Sequence, residues 1–337
     1  MQDPERSQWL PGSVVWGGGG VQPTGLPRIR TGWRARDRSQ WRPDESRPNG
    51  SEVGRSSQHA GCWVIYAVVP LVGAGIFGAL IGSFLNVVIF RVPAGRSIVT
   101  PPSACGSCGA GIRPWDNIPV LSWVLLRGRC RNCAASISAR YPLVELGTAL
   151  FFVVVGIHFL SGPSDVPGAG AAVFTVLAYL YLAAVSVTLA LIDFDTHTLP
   201  NRIVLPSYLV GLGLLGGAAV AGGDPSALLR GIVGLAILWA IYLGLALIYP
   251  GGMGFGDVKL AGVLGLFLGY LGWGELIVGG FAAFLLGGIF GLGLVLTKRA
   301  SRKSAIPFGP WMLVGAWVGI FFGDQLWEGY LSLFGVA

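Results

Sequence analysis

The sequence predicts an all-α polytopic membrane protein with about eight transmembrane helices and a small cysteine-bearing loop. Three observations predict it. Hydrophobic residues make up 53% of the 337 and charged residues 12%, with a mean hydropathy of +0.66. A water-soluble domain carries about 25% charged residues, so this chain has too little charge to cover a water-facing surface. Apolar runs long enough to cross a bilayer recur from Trp63 onward, each ended by a polar stretch. Two Cys-x-x-Cys pairs sit together in one of those polar stretches. The 54 glycines follow no every-third-residue period and lie among Leu, Val, Ala and Phe, as suits helices that approach closely in lipid.

Residues 1–60 hold no apolar run, a Gly17–Gly20 tract and nine Arg interspersed with Asp and Glu. They predict a disordered extension, and no apolar segment follows the start as a signal peptide requires. The expectation is an unstructured tail or a start codon assigned upstream of the functional unit. The spans are expected near 63–90, 143–160, 171–192, 203–221, 228–249, 259–274, 276–297 and 307–323, the sixth and seventh meeting at Gly274-Glu275. Loop 91–141 carries seven Arg against Asp116, and Lys298–Lys303 adds four basic residues with no acid. By the positive-inside rule both loops face the cytoplasm, which brings 193–202 and 250–258 to that side and puts 1–60 outside. Basic residues confined to such loops are topology signals. A nucleic-acid partner would need a basic folded face, so none is expected.

Cys105-Gly-Ser-Cys108 and Cys130-Arg-Asn-Cys133 are separated by 21 residues. Two such knuckles complete the tetrahedron that Zn²⁺ prefers, and four sulfur ligands leave no open position for a catalytic water. A structural zinc in the cytoplasmic loop is therefore expected, since thiols stay reduced there.

Two acidic segments end spans at the cytoplasmic face. The third span closes in Asp193-Phe-Asp195-Thr-His197-Thr-Leu199-Pro200-Asn201, and the fifth is followed by Gly251-Gly252-Met-Gly254-Phe-Gly256-Asp257. A carboxylate flush with an apolar surface is costly unless paired or used. Two brought together share one proton, one acting as base on water while the other polarises a carbonyl. Gly254 and Gly256 clear side chains from around Asp257, and Pro200 ends the polar loop. Capping of helix ends explains the same acids equally well at this stage. His197 lies where it would tune them, or is simply an exposed loop residue.

In this order the motifs resemble the prepilin peptidases, or type IV leader peptidases, over about residues 68–320. The resemblance rests on Gly82–Arg91 (GSFLNVVIFR), the paired knuckles, Asp116–Trp123 (DNIPVLSW), Gly128-Arg-Cys130, Arg140–Glu145 (RYPLVE), Asp193–Asn201 and Gly254-Phe-Gly-Asp257. The last is the GxGD signature shared with archaeal preflagellin peptidases and presenilin-type proteases. The resemblance implies an integral protein of the bacterial cytoplasmic membrane whose active site faces the cytoplasm. It implies cleavage of prepilins or pseudopilins after the glycine that ends their basic leader, and in many members S-adenosylmethionine-dependent N-methylation of the new N-terminus. It maps the catalytic pair onto Asp193 and Asp257, with Asp195 the competing choice, and Gly254, Gly256, Pro200 and Asn201 as supporting loop residues. Asn201 stands where full-length members often have Asp.

The implied division is residues 61–142 as first helix plus knuckle and methyltransferase-associated region, and 143–337 as transmembrane peptidase. No glycine-rich cofactor loop follows a strand; the resemblance places methylation with the cytoplasmic N-terminal region and so implies the cysteine loop, Asn86 and Glu145 as candidate cofactor contacts. Glu145, just inside the second span, is expected to pair with Arg140 or Arg91. Pilus assembly, type II secretion, competence and adhesion systems all present similar leaders. The alternative is a membrane transporter or scaffold with a zinc docking loop, which the scarcity of ionisable groups at bilayer depth disfavours.

Overall fold

The computed structural model describes residues 50–160, 168–249, 253–297 and 307–335. Residues 1–49 of the expected extension, Gly251-Gly252 and the Lys298–Lys303 cluster lie outside the described residues. Among those described, nine α-helices and two isolated β-bridges account for the regular structure. Residues Ser57–Ala337 form one compact unit.

Helix α1 (Gly50–Arg91) leads into a loop with a single 3-10 turn (Pro114–Asn117) and the short α2 (Leu121–Leu125). Then come α3 (Arg140–Leu160), α4 (Ala169–Thr196), α5 (Asn201–Gly222), α6 (Pro225–Ile248), α7 (Phe255–Leu271), α8 (Trp273–Leu296) and α9 (Gly309–Ser332). Six of these, counting α1 from Val68, are long and apolar enough to cross a membrane. The other two expected spans are also helices, α7 and α9, outside those six by length and composition. α7 has 17 residues, just short of the usual crossing length of about 20, and α9 carries Asp324 and Glu328 in its last turns. α1 begins at Gly50, inside the segment expected to be disordered and well before Trp63.

Local chemistry sets the helix ends. Pro225 at the first turn follows Asp224, whose carboxylate accepts the amides of Ser226 (3.1 Å) and Ala227 (3.2 Å) and caps α6. The break between α7 and α8 falls at Gly272, two residues before the expected boundary. There the Arg230 guanidinium of α6 donates to the carbonyls of Gly269, Tyr270 and Leu271, ending α7 with the last-turn cation that the helix dipole favours.

α7 is the centre of the unit. Leu260, Ala261, Val263, Leu264, Leu266, Phe267 and Leu268 are all buried, which is the fate of a helix apolar on every face. α5, α6, α8 and α9 pack around it, and Tyr179 of α4 reaches across to donate to the Phe267 carbonyl at 2.8 Å. The closest seams are built on glycine. A Cβ on Gly234 of α6 would meet the Gly265 carbonyl of α7 at 2.5 Å, and one on Gly319 of α9 would meet the Glu275 carbonyl of α8 at 2.6 Å. The small-residue packing expected in lipid is therefore the way α7 and α9 are held.

Gly234→Val should push α6 off α7. Overpacking of this kind costs about 1–3 kcal/mol, so thermal melting of the detergent-solubilised protein should shift down by several degrees, whereas Gly244→Val, at an open position, should leave it in place.

Candidate active site and metal centre

α4 ends in a left-handed turn. His197 takes φ 52° and its amide donates to the Asp193 carbonyl at 2.8 Å, which stops the helix and turns the chain toward Pro200 at the cap of α5. Asp193 is 5% exposed, and its Oδ2 accepts the amide of Gly309 at 3.1 Å. Gly309 is the first residue of α9, so the carboxylate sits on the positive end of a helix. A Cβ at Gly309 would come within 2.7 Å of that oxygen.

Asp257 occupies the equivalent place on α7. It is 9% exposed, stands in the helix's first turn, and its Oδ2 accepts the amide of Gly254 at 3.1 Å. This is the carboxylate half of a capping box. Leu199 lies between the two helix starts. A Cβ on Gly256 would meet it at 3.0 Å, and one on Gly309 would meet it at 3.4 Å. Leu199 therefore touches both helix starts and sets them side by side. The structure thus brings together the two aspartates singled out in the sequence, each held through one oxygen by a backbone N–H at a helix start.

Asp195 does not share the site. It is exposed, and its carboxylate forms a forked ion pair with Arg140 at the start of α3, Nη1 to Oδ1 3.1 Å. His197 is likewise exposed. Asn201 opens α5, and its Oδ1 accepts from Lys259 Nζ at 3.0 Å, tying the start of α5 to the first turns of α7. Tyr208 OH adds a second tie by donating to the Lys259 carbonyl at 2.6 Å.

Glu145 departs from its expected partner. Its Oε2 accepts the amide of Val120 at 2.7 Å, while Arg140 is engaged with Asp195 and Arg91 donates to the carbonyls of Ser97 and Pro101. Val120 has φ 60°, a conformation a β-branched residue rarely adopts. A buried carboxylate needs a donor, and the nearest is the amide exposed by this strained turn at the start of α2. Asn86 Nδ2 donates to the Tyr141 carbonyl at 3.1 Å and so ties α1 to α3. Both candidate cofactor contacts are therefore engaged with backbone groups. Each does so through a single atom, Asn86 Nδ2 and Glu145 Oε2.

The four cysteines converge. All four sulfurs lie within 4.8 Å of one another, with Cys105 and Cys133 Sγ 3.8 Å apart. A tetrahedron with Zn–S of about 2.3 Å has edges of about 3.8 Å, so the set fits the metal. The two knuckles are built alike. Cys105 and Cys130 each donate their amide five residues on, to Ala110 and Ala135, and each carbonyl accepts from the residue four on, Gly109 and Ala134. Those two residues share a left-handed φ of 70° and 56°. Amides of Cys108 and Ser107 and the thiol of Cys130 lower the Cys105 thiol to about 6, favouring the thiolate a metal needs. Cys133 is stabilised by the Ala135 amide, but the thiols crowded around it push it up to about 11. A cation in the centre removes that conflict. Asp116 and Arg131 form a forked ion pair that locks the 3-10 turn to the second knuckle and holds the Asp116 carboxyl below its usual range.

Neither Gly309 nor Lys259 stands out in the sequence as a site residue, and Leu199 does so only as part of the Asp193–Asn201 segment. The signal for Gly309 is Pro310 directly after it, which marks a helix start.

Two family models match the chain: the bacterial peptidase A24 N-terminal domain over residues 76–159 and the type IV leader peptidase family over 180–292. A prepilin leader peptidase/N-methyltransferase of Aeromonas salmonicida is 37% identical over 298 residues, covering 80% of this chain and 95% of that protein. The Pseudomonas putida protein of the same name is 34% identical over 299 residues, covering 81% and 99%, and the Pseudomonas aeruginosa one 34% over 284 residues, covering 77% and 93%. This chain belongs to the type IV leader peptidase family. No solved structure matches it. The N-terminal match covers the knuckles, Val120 and Glu145. The second covers Asp193 and Asp257, so the family's two parts meet at the one end of the bundle where α1 ends and α3 begins.

Glu145→Ala should free the Val120 amide. Hydrogen exchange at residues 118–126 should speed up at least tenfold, while Glu145→Gln, which keeps an acceptor oxygen, should change it far less.

Proposed function

We propose that this leader peptidase cleaves type IV prepilins or pseudopilins at the cytoplasmic face of the bacterial cytoplasmic membrane, and methylates the N-terminus it exposes. The observation that carries the reading is the pair Asp193 and Asp257, buried at one end of the bundle and each held through Oδ2 by the amide of a helix start. One carboxylate acts as base on a water between them. The other, protonated, donates to the carbonyl oxygen of the scissile bond. Water adds to the carbonyl carbon, the tetrahedral species collapses, and the amide nitrogen leaves with a proton returned from the carboxyl pair. The amides of Gly254 and Gly309 keep the carboxylates in place during both proton transfers. Gly256 lets Leu199 close against the start of α7 beside Asp257.

Zinc is the metal proposed for the four cysteines, where it would cross-link the two knuckles. Methyl transfer is proposed from family membership and takes S-adenosylmethionine as donor. The substrate is a membrane-embedded protein segment, so the bilayer is the protein's second partner.

The test is co-expression with prepilins from the same genome and mass spectrometry of their N-termini, which reports cleavage and methylation together. Asp193→Asn and Asp257→Asn should each lower cleavage by at least about 10²–10⁴-fold, the range of general acid–base contributions. Asp195→Asn should retain it, and normal processing by either of the first two variants would sink the assignment. Gly309→Ala should lower kcat by about ten- to a hundredfold by displacing the Asp193 carboxylate. Elemental analysis should find about one zinc per chain in the intact protein, and Cys108→Ser should lose most of it.

A further inference from the structure

A groove of about 350 Å³ runs along the outside of the bundle over α4, between α3 and α9. Resting on the leader-peptidase reading, we propose that it receives the apolar membrane segment of the substrate and leads it to Asp193. Its walls are apolar throughout their length except for Ser186. That hydroxyl donates to the Leu182 carbonyl at 2.7 Å and accepts from Trp317 Nε1 at 3.0 Å, so it offers little to a polar occupant. A groove with its polar groups already satisfied selects a hydrocarbon surface.

Position identifies the occupant as the substrate. At the inner end the walls are Ala190 and Pro310. Ala190 precedes Asp193 by three residues and so lies on the same face of α4. Pro310 follows Gly309, whose amide holds the Asp193 carboxylate. The groove therefore runs up to one of the two carboxylates. At the other end it reaches Phe321 and Phe322, where Phe321 packs on His158 of α3 at 5.1 Å and closes the gap between the helices. From Pro310 to Phe322 the α9 wall is about 18 Å long at 1.5 Å per residue, room for about three turns of an apolar helix. Val314 is 47% and Phe322 57% exposed, so the groove opens sideways to lipid and a substrate enters without leaving the membrane. A helix lying there places the residue that precedes its first membrane turn at Asp193, which fixes the distance from scissile bond to apolar segment.

Two measurements test this. Val314→Trp fills the groove, and Leu209→Trp serves as a lipid-facing control on α5, where Leu209 is 76% exposed. For each, kcat/KM is measured on a full-length prepilin and on a soluble peptide that spans the cleavage site without the apolar segment. The ratio of the two should fall at least tenfold for Val314→Trp and stay unchanged for Leu209→Trp. A ratio unmoved by Val314→Trp overturns the groove, and a wild-type protein that cleaves neither substrate overturns the peptidase reading with it. In the second, a photo-crosslinking residue at Val318, within the groove, should capture the apolar segment of a purified prepilin in liposomes. Capture of lipid or a second copy of this chain alone overturns the proposal.

Discussion

A carboxylate inside an apolar bundle survives only where donors meet it. Here the donors are two helix starts, the amide of Gly309 to Asp193 and that of Gly254 to Asp257. A hydrogen bond to a charged group contributes about 1.5–3 kcal/mol, and the helix dipole adds about 0.3–1 kcal/mol at such a place. Neither is obtained unless α7 and α9 begin at the right depth and face one another. That requirement reaches back into the bundle. α7 is fixed against α6 at Gly234 and Gly265, and α9 against α8 at Gly319 and Gly279, contacts that any side chain would force apart. Packing far from the carboxylates thus sets their separation.

The all-α fold, the knuckles and both aspartates were legible in the sequence, because each is written in local pattern: apolar runs, Cys spacing, a glycine cluster around one acid. What was not legible is what joins distant segments. Asp193 and Gly309 are 116 residues apart, and Lys259 and Asn201 58. Spacing cannot reveal such contacts. Glu145 was expected to seek an arginine, a sound rule for an intramembrane acid, but a strained backbone amide at Val120 lay nearer. Arg140 was left for Asp195, which stays exposed. Residues two apart on a helix point about 200° away from each other, so Asp193 and Asp195 had to face opposite ways. Only the packing of α9 decides which one faces inward.

The knuckle loop is anchored to the same end of the bundle by three unequal ties. The Arg140–Asp195 pair is exposed on both sides, and such pairs are worth about 0–1 kcal/mol. Arg91 holds the carbonyls of Ser97 and Pro101, which steadies the start of the loop alone. The Glu145 bond differs because the acid is buried and its partner is strained. Losing it would leave a desolvated carboxylate with no donor and a left-handed valine with nothing to hold it. Glu145 is therefore the dominant tie. It sits directly against Gly82 of α1, where a Cβ would meet the Glu145 Cα at 2.7 Å. The crossing of α1 and α3, the seating of Glu145 and the conformation of α2 are one linked arrangement. Through it the four-cysteine loop keeps its place at the end of the bundle that carries the two aspartates.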